Sequence, residues 1–176
     1  LAFLFEYDGP QAGARCVKTW GSGGLLARHL AYDDDARETT VTDSRGNRTR
    51  YRHDGAVVHE VTDPLGGTTR VEYDEHYGVT CCTDALGRST HYVRDEHGNV
   101  LEATSPDGTS VSARYDAWGR CVEQTNEIGA TTTYGYDAAG RRAHKSDALG
   151  QRFEFRYSDG EDTILAPHGG VTVVEC

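Results

Sequence analysis

Polar and apolar residues alternate along short stretches of this chain, and each stretch follows a glycine. After Gly150, Phe155 and Tyr157 stand at alternate positions, and charged residues stand between them. The stretches after Gly108 and Gly66 alternate in the same way. An alternation of period two places apolar side chains on one face of a β-strand and charged ones on the other. The pattern predicts short strands, each ending in a residue on the less polar face.

A Tyr-Asp dyad ends these stretches and recurs along the chain. The intact dyads are Tyr32-Asp33, Tyr73-Asp74, Tyr115-Asp116 and Tyr136-Asp137; His53-Asp54 and Arg94-Asp95 are degenerate copies, and Tyr157-Ser158 closes the series. Successive dyads begin 20 or 21 residues apart. A glycine seven residues before each dyad after the first keeps the same register: Gly46, Gly66, Gly87, Gly108, Gly129 and Gly150. A regular period of this length indicates a repeat architecture.

Each repeat contains two turn signals. One is Asp-x-x-Gly, as in Asp84 to Gly87, and the other follows the dyad, as in Asp116 to Gly119. Asp accepts hydrogen bonds from the backbone that follows it, and Gly tolerates positive φ at the fourth position. Each repeat therefore predicts one β-hairpin. We expect an all-β fold in which consecutive antiparallel hairpins of about 21 residues form a curved sheet with almost no helix.

The markers divide the chain into three regions. Residues 1–31 form a strand-and-loop segment that enters the repeats, and Tyr7-Asp8 in it is an early, out-of-register dyad. Residues 32–160 carry the repeats. Residues 161–176 lack the markers, so we expect an irregular and truncated continuation. The chain has no Met, which is expected of a fragment of a longer polypeptide.

Composition and charge narrow the function. The net charge is -10, which argues against nucleic acid and against an anionic membrane surface. No apolar run is long enough to span a bilayer, so we expect no membrane insertion. The odd number of cysteines and the absence of a Cys-x-x-Cys pair argue against a zinc site. We expect free thiols that fill strand positions: Cys16, Cys81, Cys82, Cys121 and Cys176.

No group of residues has the spacing of a reactive site. The acidic run from Asp33 to Asp35 lacks the alternating ligands and the closing Glu of a calcium loop, and His53, His59, His91 and His97 match no ligand or base pattern. We therefore predict no catalytic residue, no metal site, no cofactor and no enzymatic activity. The tyrosines leave two interpretations open: a packing ladder, which we favour, or a stripe that binds sugar.

These residues resemble the Rhs/YD-repeat family, which includes bacterial Rhs toxins, insecticidal toxin-complex subunits and animal teneurins. The matching units run from Tyr115 to Arg120, from Tyr136 to Arg141, from Thr83 to Arg88 and from Thr62 to Gly66, and the stretch from Arg15 to Gly24 is similar to the entry into bacterial Rhs repeats. The family's repeats spiral into a hollow shell that encloses a C-terminal toxin. The resemblance implies that this chain is a structural wall segment near the N-terminal part of such a shell. The alternative is an adhesive or carbohydrate-binding module.

The same resemblance implies partners and a location. The partners would be the remaining shell segments and the C-terminal toxin of the same polypeptide, with secretion spike proteins and chaperones of the parent. The protein would be made in the bacterial cytoplasm and then secreted as part of an effector, often by a type VI secretion system, for competition with other bacteria.

Overall fold

The computed structural model describes residues 2–158, 161–167 and 171–175. They form β-strands and one three-residue 3₁₀ turn at Ser22–Gly24. The strands are β1 (Phe3–Tyr7), β2 (Cys16–Gly21), β3 (Arg28–Asp33), β4 (Glu38–Asp43), β5 (Arg48–His53), β6 (Val58–Thr62), β7 (Thr68–Tyr73), β8 (Val79–Thr83), β9 (Ser89–Arg94), β10 (Val100–Thr104), β11 (Ser110–Tyr115), β12 (Cys121–Thr125), β13 (Thr131–Tyr136), β14 (Arg142–Ser146), β15 (Arg152–Ser158), β16 (Glu161–Leu165) and β17 (Val171–Glu175). The all-β fold predicted from the alternation is confirmed.

The chain divides into two compact units, residues 1–89 and 90–176, with the boundary inside β9. In the first unit each strand from β1 to β8 pairs antiparallel with the next one along the chain. In the second unit the strands from β9 to β17 pair in the same way. Each repeat therefore supplies one hairpin, as the spacing predicted.

The turns share one hydrogen-bond pattern. At the turn from Asp84 to Gly87, the glycine N–H donates to the Asp84 carbonyl at 2.9 Å, and the Asp84 N–H donates to the Arg88 carbonyl at 2.9 Å. Gly87 has a φ of +79°, which is unfavourable for residues with a Cβ. This is the pattern of a type I turn closed by a glycine bulge, the usual form of a three-residue hairpin loop. The marker glycines Gly46, Gly66, Gly108, Gly129 and Gly150 have positive φ as well.

The hairpins that a dyad turn closes contain a second irregularity. Tyr115 pairs with Cys121 but Arg114 pairs with Glu123, so Val122 is an extra residue on β12. The same register shift, with one extra residue on the later strand, occurs at the pairs formed by Tyr7, His53, Tyr73, Arg94 and Tyr136. This β-bulge explains why the dyad hairpin uses one residue more than the linking hairpin.

The sheet is thinly covered. Among the described residues only Gly21 and Cys81 are buried, and Cys81 has 6% of its surface exposed. Most strand residues are half-buried, and on β5, β7, β9 and β11 half-buried and exposed positions largely alternate. Strand β1 exposes all of its side chains, including Phe3, Leu4 and Phe5. Hydrogen-bonded ladders and cross-strand contacts hold these units together, because no hydrophobic core of ordinary depth lies beneath the described strands.

The predicted regions can be compared with the observed strands at two places. The boundary at residue 32 falls inside β3, and Tyr7-Asp8 begins a hairpin with the same bulge as the repeat dyads. In 161–176, β16 and β17 continue the antiparallel pairing without the sequence markers. The division into three regions stays a prediction.

Candidate functional site

The dyad aspartates organise the turns that follow them. The Oδ1 atom of Asp116 accepts hydrogen bonds from the backbone N–H groups of Trp118 and Arg120, both at 3.0 Å, and its Oδ2 atom accepts one from Arg120 Nε at 2.8 Å. Asp137 repeats this arrangement with Ala139 and Arg141. The carboxylate ties the turn to itself, which is the local reason for an Asp at this position.

The other dyad aspartates cap their turns in related ways. Asp74 Oδ1 accepts from the N–H groups of His76 and Gly78, each at 2.8 Å, and Asp33 Oδ1 accepts from that of Ala36 at 2.9 Å. The linking turns use the same geometry, with Asp43, Asp63, Asp84, Asn126 and Asp147 as the capping residues.

Each dyad tyrosine donates its hydroxyl hydrogen to a backbone carbonyl in the preceding strand. The pairs are Tyr32 with Cys16 (2.8 Å), Tyr73 with Val58 (2.9 Å), Tyr115 with Val100 (3.1 Å), Tyr136 with Cys121 (2.7 Å) and Tyr157 with Arg142 (2.8 Å). Every acceptor stands at the bulge of its hairpin. A bulge disrupts the ladder, so the hydroxyl supplies a partner where the regular pairing is interrupted.

Arginines cover several of these rings. The guanidinium of Arg120 lies 4.5 Å from the centre of the Tyr136 ring and pairs with Asp116 at 2.7 Å. Arg141 lies 4.5 Å from the Tyr157 ring and pairs with Asp137 at 2.9 Å. We call this arrangement of carboxylate, guanidinium and ring the arginine clamp. It links the turn of one repeat to the tyrosine of the next.

A variant of the clamp occurs at the start of the chain. Arg15 follows the first hairpin loop and lies 5.1 Å from the Tyr32 ring, but its Nη1 pairs with Asp34 at 2.8 Å. Our sequence reasoning did not single out these arginines. The available signal was an arginine directly after the dyad-turn glycine, in Gly119-Arg120 and Gly140-Arg141.

Hydrogen bonding shifts the titration of the turn carboxylates. Donation from the backbone N–H groups of Val57 and Ala56 lowers the pKa of Asp54 to about 2. The side chain of Arg88 lowers the pKa of Asp84, and that of Asn47 lowers the pKa of Asp43. Partial burial raises the pKa of Tyr115 and of Tyr32. These shifts stabilise the carboxylates as anions and the phenols as neutral donors at neutral pH.

The structure does not gather the other candidate residues into a reactive group. Asp34 pairs with Arg15, and His59 Nε2 lies 3.2 Å from Asp54 Oδ2. Cys16, Cys81, Cys82 and Cys121 are free thiols, whereas Cys176 lies outside the described residues. Within the described ranges no cluster of three or more His, Cys, Asp or Glu residues could hold a metal ion. In the same part of the chain, no helix has the length and apolar character needed to cross a membrane.

Comparisons with known proteins show what this chain is similar to. Residues 82–110 and 115–152 match the RHS repeat family. The fold is similar to the crystal structures of TcdB2-TccC3-TEV (TM-score 0.57, 13% identity) and TcdB2-TccC3 (TM-score 0.59, 14% identity), and to a mutant of the Photorhabdus luminescens Tc holotoxin pore (TM-score 0.56, 14% identity). These alignments cover 98%, 93% and 98% of this chain. No curated protein sequence matches the chain.

The described strands thus form consecutive antiparallel hairpins, and their fold is similar to that of these solved chains. The two matched stretches are RHS repeats, which confirms the resemblance to the Rhs/YD-repeat family. The chain spans about a tenth of the length of the solved chains it matches, and at this level of identity the similarity establishes the fold alone.

Proposed function

We propose that this chain is a non-catalytic wall segment of an RHS-repeat shell that encloses a C-terminal toxin domain of the same polypeptide. The parent would be made in the bacterial cytoplasm and then exported as an effector against competing cells. Its partners would be the other shell segments, the enclosed toxin and the spike proteins and chaperones of its secretion route.

The observation that supports this proposal most directly is that the repeated tyrosine and aspartate side chains are hydrogen-bonded to the backbone. The dyad tyrosine hydroxyls donate to backbone carbonyls, and the turn carboxylates accept from backbone amides. A nucleophile or general base must offer an atom that is within reach of a substrate. The repeated residues of this chain offer those atoms to their own backbone, as expected of a wall.

The alternative sugar-binding stripe gains no support from the tyrosines. A stripe of that kind would present phenol groups to a ligand, but the dyad hydroxyls lie 2.7 to 3.1 Å from carbonyl oxygens. Their rings are also partly covered by arginines in the clamps at Tyr136 and Tyr157.

Deleting one repeat from the parent polypeptide tests the proposal. Removal of residues 95–115 keeps the remaining hairpins in phase but shortens the wall, so the enclosed toxin should become sensitive to limited proteolysis. It should also harm a producing cell that lacks an immunity protein. The control is Glu127→Ala, which changes an exposed turn residue and should leave the toxin protected. A toxin that stays equally protected in both variants would contradict the wall role.

A further inference from the structure

The repeat that begins at His53 has no arginine at the clamp position, and neither do the turns that begin at Asp74 and Asp95, where Gly78 and Asn99 stand. In the hairpin that begins at His53, the turn from Asp54 to Val57 is one residue shorter than the turn from Asp116 to Arg120. The Asp54 N–H donates to the Val57 carbonyl at 3.2 Å, and the Asp116 N–H donates to the Arg120 carbonyl at 3.0 Å. Val57 therefore occupies the position of Arg120.

The remaining parts of the clamp are present in this repeat. Asp54 Oδ1 accepts from the Ala56 and Val57 N–H groups at 2.8 and 3.0 Å, as Asp116 Oδ1 does in its own turn. The Tyr73 hydroxyl donates to the Val58 carbonyl at 2.9 Å. Carboxylate and ring are thus held as in the complete clamps, but no arginine of this turn lies between them. Arg70 lines the same groove and pairs with Glu60 at 3.0 Å, and Arg37 donates to the Asp54 carbonyl at 3.4 Å.

A groove of about 450 Å³ lies at this place. Its lining includes Asp54, Val57, His59, Arg70, Tyr73 and Tyr77. The Asp54 side chain is 43% exposed, so a ligand can reach its carboxylate.

Tyr77 lines this groove and, like Leu26 and Arg37, has a positive φ. It stands at the fourth position of its turn with a φ of +62°, where the turns at Gly119 and Gly140 have glycine. An L-residue is strained in this region, and such strain clusters at functional sites. The Tyr77 side chain is also 62% exposed, so burial of the ring does not compensate for the strain.

We propose that the groove beside Tyr73 binds the guanidinium of an arginine side chain from a partner polypeptide. The bound group pairs with the Asp54 carboxylate and stacks on the Tyr73 ring, as Arg120 does with Asp116 and Tyr136. Tyr77 adds an aromatic wall at the mouth of the groove. A carboxylate and aromatic faces suit a planar cation, and the net charge of -10 favours the approach of basic segments.

His59 tunes this site. It is the extra residue of the bulge, where the complete clamp at Arg120 has Val122. Its Nε2 lies 3.2 Å from Asp54 Oδ2, and its ring meets that of Tyr73 edge-on at 6.1 Å between centroids. The imidazole thus occupies part of the place of the missing guanidinium, and an incoming arginine must share the carboxylate with it or displace it.

Titration of the full chain with the peptide Gly-Ser-Arg-Ser-Gly, blocked at both ends, tests the inference. Amide NMR shifts at Val57 and His59 should saturate with the arginine peptide. They should barely move with the same peptide carrying citrulline, which keeps the shape but lacks the charge. Equal shifts with both peptides would overturn the proposal.

Three variants separate the site from effects on folding. Val57→Arg supplies the guanidinium within the chain and should abolish peptide binding. Tyr77→Gly relieves the strained turn, so the protein should stay folded while affinity falls about fivefold or more. His59→Val reproduces the complete repeat and should raise affinity. Unchanged binding in Val57→Arg would show that the peptide sits elsewhere, and a weaker His59→Val would show that His59 itself holds the ligand.

This inference does not rest on the shell role. A wall segment that fails to protect a toxin could still bind arginine at this groove, and a shell without this groove could still enclose its cargo. The deletion of residues 95–115 leaves the groove in the first unit intact, so the two experiments fail or succeed independently.

Discussion

The hairpins closed by the turns at Asp54 and Asp116 share one frame but differ in turn length and at two positions, where Val57 and His59 stand in place of Arg120 and Val122. Both have a capping carboxylate, a bulge, and a tyrosine hydroxyl bonded to the bulge carbonyl. Only the second has an arginine between carboxylate and ring. The frame therefore depends on Tyr and Asp, and the arginine adds to a hairpin that forms without it.

The largest effect on this comparison should come from removing the rings. Tyr136→Ala removes a half-buried aromatic, its hydroxyl bond and the surface on which Arg120 stacks, and should lower the free energy of unfolding by about 2–4 kcal/mol. Tyr73→Ala should cost less, because no guanidinium stacks on that ring. Urea unfolding of the two variants measures the difference, and an equal loss would show that the arginine contributes nothing.

Tyr136→Phe is the matched control for the hydroxyl. It keeps the ring and the stacked guanidinium and removes one hydrogen bond, so it should cost about 1 kcal/mol. Tyr134→Phe removes a hydroxyl that bonds only the Gln124 side chain at 3.3 Å, and it should be nearly neutral. Equal losses for the two variants would contradict the role assigned to the bulge carbonyl.

Changing the backbone strain in a turn should have the next largest effect on stability. The sign of that effect should differ between the turn at Gly140 and the turn at Tyr77. Gly140→Ala places a Cβ at a φ of +81° and should destabilise the chain by about 1–2 kcal/mol. Tyr77→Gly removes the same kind of strain and should stabilise it by up to about 1 kcal/mol. Thermal unfolding measures both changes. A destabilised Tyr77→Gly would mean that the exposed ring contributes packing to the fold.

Exchanging the clamp residues should have a smaller effect. Arg120→Val should lower the stability by about 1 kcal/mol, because the cation–π contact and the ion pair are partly buried, with the Arg120 side chain 28% and the Asp116 side chain 17% exposed. Val57→Arg should raise the stability by a similar amount if the guanidinium reaches both Asp54 and Tyr73. Urea unfolding with and without added salt measures the stability change of each variant. A change that does not depend on salt would contradict the contribution of the ion pair.

Acid should produce the smallest change at any single site. The pKa of Asp54 is about 2 in the folded protein against 3.8 ordinarily, so its stabilising effect is complete above about pH 4 and is lost as the pH falls through about 2. Asp54→Asn keeps the acceptor oxygen and removes the titration, so its unfolding free energy should fall less between about pH 4 and 2. Identical pH profiles would contradict the shifted carboxylate.

The repeating frame could be predicted from the sequence because its signals are local. The Asp84 turn and its Gly87 depend on hydrogen bonds within a few residues, so spacing alone indicates them. The tyrosine could be placed on a strand face by alternation, but its acceptor could not. The Tyr136 hydroxyl reaches the carbonyl of Cys121 across a hairpin. This contact requires the register shift at the bulge, and no residue type in the sequence indicates that shift.

The groove at Tyr73 could not be predicted for a different reason. It lies where this repeat has no arginine at the clamp position, and the shorter turn from Asp54 to Val57 obscures which residue stands in place of the arginine. Hydrogen bonds, rather than sequence positions, identify Val57 as the counterpart of Arg120.

The hydrogen bond from each tyrosine to the bulge of the preceding hairpin also sets the order in which hairpins can be completed during synthesis. The carbonyl of Cys121 accepts from a tyrosine hydroxyl that is synthesised 15 residues later. The same separation applies to the carbonyls of Val58, Val100 and Arg142. A ribosome adds about 5–20 residues per second, so each of these carbonyls lacks its hydroxyl donor for roughly one to three seconds of synthesis. These hairpins are thus completed in order from the N-terminal end of the chain.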